Sequence, residues 1–116
     1  MQSKKLISLI REACEDKQGQ DTVVLDLRRF STIANYFVIT SGNSDRHVRA
    51  VADHVEEKLS AHRERCIHDE GYEDGCWILL DYGDVVVHIF RGDIRGFYNL
   101  ERLWGNAPRI ESAIIP

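Results

Sequence analysis

The sequence predicts a single domain of the α/β, α+β mixed type: one mixed sheet of about five strands with its helices mainly on one face. Three observations predict it. The apolar pattern changes period in the order α-β-β-α-β-β-β-α, so strands come in groups instead of alternating strictly with helices. The stretch Cys76 to Phe90, CWILLDYGDVVVHIF, reads as two apolar strands about a tight turn. Two segments carry a single apolar stripe at helical spacing, as helices packed on a sheet do. With so few helices, one face of the sheet is expected to lack a helical cover.

Bulk properties narrow the function classes. At 116 residues the chain can bury roughly two thirds of its unfolded surface, enough for one core without staples. A net charge of −4 argues against binding dominated by phosphate neutralisation, so any contact near nucleic acid is expected to run through a protein. Cys14, Cys66 and Cys76 form no CxxC pair, and Cys66-Ile67-His68 is the closest approach to a ligand pair. No zinc spacing is present, so no structural metal is expected. The thiols fit a reducing cytosol. Met1 to Lys5 leads into an amphipathic stretch, not a signal sequence, and no run approaches the ~18 apolar residues of a membrane span. The expectation is a cytoplasmic protein.

Ser3 to about Asp16 is helical by pattern, with Leu6, Ile10 and Ala13 on one face, Ile7, Leu9 and Cys14 flanking, and Ser3 placed to cap it. Thr22 to Leu27 is a buried strand interrupted by Asp26. Tyr36 to Thr40 lacks polar alternation, so it is expected to be central and covered on both sides. The turn Ser41-Gly42-Asn43-Ser44 follows, with Ser44 as N-cap of a helix running to about Ala61. The buried stripe of that helix is Val48, Val51, Ala52, Val55 and Leu59. Arg65 to His68 is expected as a short strand, and Asp69 to Gly75 as an acidic loop.

In the hairpin, a Tyr82-Gly83 loop would pair Asp81 with Asp84. One face then carries Ile78, Leu80, Val85, Val87 and Ile89. The other carries Trp77, Leu79, Val86, His88 and Phe90, and is either more core or a surface that a partner covers. A last helix starts near Asp93 and stops at Gly105, before Pro108, and Arg109 to Pro116 reads as a tail.

Tyr36 to Val55 (YFVITSGNSDRHVRAVADHV), Trp77 to Phe90 (WILLDYGDVVVHIF) and Tyr98 to Trp104 (YNLERLW) together resemble the ribosomal silencing factor family, also called the Iojap family. The likeness spans roughly residues 4–107, which sets the expected domain at 1–107 and the tail at 108–116. Three blocks in order make it specific. Gly96-Phe97 departs from the usual larger polar residue and aromatic before Tyr98.

The resemblance implies a nucleotidyltransferase-like fold without catalysis and without a cofactor. It implies a translation repressor that binds the large ribosomal subunit through its fourteenth protein, blocks joining of the small subunit under nutrient limitation, and tends to form a homodimer when free. The expected contact residues are Trp77, Leu79, Tyr82, His88 and Phe90, with Tyr98 and Leu100 at the edge. Tyr82 is expected to be exposed at the tip, and Asp81 and Asp84 to serve the turn.

The alternative is a nucleotidyltransferase-like enzyme or nucleotide binder using the Gly42–Ser44 turn, whose helix N-terminus could meet a phosphate. The acid pair that would hold its metal is missing: Asp69 and Glu70 are adjacent and would point to opposite faces of a strand. A third reading makes the sheet face a homodimer interface.

Overall fold

The computed structural model describes residues 2–29 and 34–98, with residues 97 and 98 described by backbone alone. Eight elements follow in the expected order: α1 (Ser3–Asp16), β1 (Gln20–Asp26), β2 (Tyr36–Gly42), α2 (Asp45–Ser60), β3 (His68–Glu70), β4 (Trp77–Asp81), β5 (Val85–Arg91) and α3 (Gly92–Tyr98). The expected helix stop at Gly105, residue Leu100 and the 108–116 tail lie outside the described residues.

The strands form one sheet in the order β1-β2-β5-β4-β3. β2 runs parallel to β5, and the other neighbouring pairs are antiparallel. Joining parallel β2 and β5 requires a crossover, and α2 provides its helical part. The apolar β2 lies inside the sheet, as its lack of alternation predicts.

α1 and α2 cover one face. α1 buries Leu6, Ile7, Ile10, Ala13 and Cys14, and α2 buries Val48, Val51, Ala52, Val55 and Leu59, the stripe read from the sequence. They pack with Val24, Val38, Ile78, Leu80, Val85, Val87 and Ile89 in one cluster. Inside it, burial pushes the Cys14 thiol up to about 12, so it behaves as a small apolar side chain. The helices are also clasped at the surface: Lys58 of α2 pairs with Glu12 and Asp16 of α1 at 2.9 and 3.0 Å. Ser44 caps α2, its Oγ accepting the His47 N–H at 3.1 Å.

Three local expectations are corrected. Ser3 does not cap α1; extended Gln2 is the N-cap, and the Ser3 hydroxyl donates to the Asp84 carboxylate at 3.3 Å. The third strand lies at His68–Glu70 and not at Arg65–His68. Its pairing starts where the Ile67 N–H donates to the Asp81 carbonyl at 2.7 Å. A fully exposed charged edge strand has no apolar period to read, and charge at an edge discourages pairing with other chains.

The third correction is the hairpin. Tyr82 N–H donates to the Val85 carbonyl at 2.9 Å, and Asp81 pairs with Val86. The two-residue loop is therefore Gly83-Asp84. Gly83 takes φ +89° at the first loop position, where a type II′ turn wants glycine. The Asp81 carboxylate accepts the Gly83 N–H at 2.7 Å and fixes this choice. The pairing slides by two residues relative to expectation. A slide by an even number leaves every side chain on its face, so the two faces are those read from the sequence.

Candidate docking face

The sheet face opposite α1 and α2 is built in rows by the strand registers. One row runs Leu25, Phe37, Val86, Asp81, His68. The next runs Val23, Ile39, His88, Leu79, Glu70, and the last brings Ser41, Phe90 and Trp77 together. Leu25, Leu27, Ile39 and Phe90 form its buried cluster, against which Val23, Phe37, Trp77 and Ile94 are half-buried. α3 contributes Ile94 at the end of this face, and its Arg95 donates to Ser41 Oγ at 2.8 Å.

The aromatic side chains fix one another. Trp77 stacks on Phe90 directly opposite it, with ring centroids 5.0 Å apart and planes at 25°. The Trp77 indole N–H donates to His88 Nδ1 at 3.1 Å. Phe37 meets the His88 imidazole edge-on at 4.5 Å. Burial alone pulls the His88 imidazole down to about 4, so it is neutral at physiological pH. Beyond the aromatic cluster, Leu79 is half-buried beside the exposed Glu70, whose carboxylate pairs with His68 at 3.2 Å.

The expected contact residues divide. Trp77 and Leu79 lie on this face and are half-buried. Phe90 and His88 lie on it too, at 0% and 3% exposure, beneath its surface. Tyr82 is not exposed at the hairpin tip as expected. At 8% exposure it packs with the helix-face cluster, because its even position sets it with Ile78 and Leu80. Its hydroxyl is buried without a hydrogen-bond partner among the described residues, and burial raises its pKa. The side chains of Tyr98 and Leu100 lie outside the described residues. Phe37 was not singled out; its signal was present in β2, where Phe37 and Ile39 alternate with Val38.

The phosphate-cradle reading meets two local facts. The Asn43 N–H donates to His47 Nδ1 at 2.8 Å, and the His47 N–H is taken by Ser44, so two amides of the turn are already satisfied. Asp69 pairs with Leu80 and Glu70 with Leu79, which puts the two acids on opposite faces. Among the described residues no three His, Cys, Asp or Glu side chains are grouped to hold a metal, and no helix is long and apolar enough to cross a membrane.

The profile of the family described as ribosomal silencing factor during starvation matches residues 1–116. Ribosomal silencing factor RsfS of Bacillus subtilis is 41% identical over 108 residues, covering 93% of this chain and 92% of that protein. The chloroplastic Iojap protein of maize is 35% identical over 105 residues, covering 90% of this chain and 45% of the longer relative. The crystal structure of a Chromobacterium violaceum protein superposes with a TM-score of 0.88 at 34% identity, covering 99% of this chain and 95% of that one. Sequence and fold agree, and the chain belongs to the ribosomal silencing factor family.

Proposed function

We propose that this chain binds the large ribosomal subunit through the subunit's fourteenth protein and keeps the small subunit from joining. The observation that carries this reading is the half-buried strip of Trp77, Leu79 and Phe37 on the sheet face opposite the helices. Large, pre-positioned aromatic residues with an aliphatic neighbour are the composition of binding hot spots. Tyr98 and Leu100 are proposed as further contact residues. Asp81, half-buried, and Glu70, exposed, border the strip, and acidic groups there would steer encounter with a basic ribosomal protein. The names of the relatives, ribosomal silencing factor in bacteria and an assembly protein of the mitochondrial large subunit in mouse, support a ribosomal partner.

The mechanism is occupancy. A protein bound on the joining surface excludes the small subunit while its concentration exceeds its dissociation constant, and no turnover is needed. The protein then works in the cytoplasm on free large subunits. A homodimer formed through the same face would compete with ribosome binding.

Mixing isolated subunits with increasing protein tests the mechanism by light scattering. Joining is expected to fall as the large subunit saturates. Saturation without loss of joining would overturn it. A photo-crosslinking residue at position 79 is expected to capture the fourteenth protein, and capture of a different ribosomal protein would overturn that partner.

A further inference from the structure

We infer that His88 is a positioning residue: it holds the Trp77 indole in the orientation in which that ring meets the ribosome, without touching the partner itself. This rests on the docking face proposed above.

His88 is too deep to make contact, at 3% exposure. What it offers is an acceptor. An indole N–H only donates, so the 3.1 Å bond from Trp77 Nε1 requires a lone pair on His88 Nδ1 and a proton on Nε2. The imidazole is itself fixed, edge-on to Phe37 at 4.5 Å and near-parallel to Phe90 at 6.4 Å with 14° between planes. Trp77 is therefore held by the stack on Phe90 and, second, by the bond to His88. Turning the indole over would break the second. An aromatic anchor held this way before binding loses less rotational freedom on docking.

The cost of this histidine points the same way. Its Nε2 is buried with no hydrogen-bond partner among the described residues. A position that only filled space between Ile39 and Leu79 would be better served by an apolar side chain, which leaves no polar atom unsatisfied. Histidine offers the one thing an aliphatic residue lacks there, an acceptor for the indole.

The test is a double-mutant cycle on large-subunit affinity, using the full chain and variants whose urea midpoints establish that they fold. His88→Leu is expected to weaken binding about fivefold, the effect of one lost hydrogen bond. His88→Asn, whose side-chain oxygen can stand near the Nδ1 position, is expected to stay within about twofold of wild type. In a Trp77→Phe background, which has no N–H, His88→Leu is expected to change nothing further. Nitrogen NMR of the free protein is expected to find the His88 proton on Nε2.

Equal losses for Leu and Asn, a further loss in the Trp77→Phe background, unchanged affinity for His88→Leu, or a proton on Nδ1 would each overturn the inference. If Trp77→Ala itself leaves affinity unchanged, the docking-face reading fails instead. The tautomer measurement, which needs no ribosome, still decides the His88–Trp77 contact.

Discussion

Trp77 and Phe90 sit directly across from each other on β4 and β5, with their rings stacked at 5.0 Å. Phe90 is fully buried and Trp77 half-buried, so one ring forms the floor on which the other rests. Cross-strand aromatic pairs contribute roughly 0.2–1 kcal/mol to a sheet. Their larger effect here is on shape, since the stack sets the height of the indole above the sheet.

Replacing Phe90 by leucine removes that floor while keeping an apolar core. The expected loss of stability is about 1–2 kcal/mol by urea unfolding. Trp77 fluorescence is expected to shift to the red as the indole gains water. An unshifted spectrum would mean that the stack does not place the indole.

Burial of neutral His88 gives the protein a pH dependence. Its folded value, about 4, lies below the ordinary 6.5, so between the two the unfolded chain binds more protons. The stabilising contribution is complete above about pH 6.5, declines as pH falls and is gone below about 4; over that window it amounts to roughly 3 kcal/mol at most. Glu56 acts in the opposite sense, its carboxyl raised by burial and by Asp69 and Asp53. The quantity to compare is therefore wild type against His88→Asn. Urea midpoints of the variant should fall less between pH 6.5 and 4.5, and parallel curves would contradict the burial of a neutral imidazole.

Tyr82→Phe separates the two sheet faces. The hydroxyl is buried and has no partner among the described residues, so its removal should leave stability unchanged or raise it by up to about 1 kcal/mol. Large-subunit binding should not change, because Tyr82 belongs to the helix-side cluster. A folded Tyr82→Phe protein with weakened binding would return Tyr82 to the contact surface.

Gly71 controls the approach to Trp77. It adopts φ +87°, and a Cβ there would lie 1.9 Å from the Trp77 carbonyl oxygen. Gly71→Ala must move the β3–β4 connection, with an expected loss of about 2–4 kcal/mol in urea unfolding. A loss under about 0.5 kcal/mol would show that the loop reshapes freely.

Much of this was legible from residues 36–60 and 77–90. The stripe from Val48 to Leu59 and the split of the hairpin into two faces depend on side-chain period alone, and period survives a shift of the turn. What period cannot fix is where the turn closes. Asp81 selected Gly83-Asp84 by accepting one amide hydrogen, and with that Tyr82 joined the buried side. The bounds of β3 were missed because His68-Asp69-Glu70 pairs through its backbone with every side chain exposed. The depth of His88 and Phe90 was illegible for a different reason. It depends on β2 lying parallel beside β5, a long-range pairing that brings Phe37 and Ile39 onto their face.

The most direct test is co-sedimentation of the folded Trp77→Ala protein with isolated large subunits. A central aromatic anchor carries ~2–4 kcal/mol, so affinity is expected to fall at least about 30-fold with the urea midpoint accounted for separately. A folded Trp77→Ala protein that sediments with large subunits at wild-type affinity would contradict the assignment of this face.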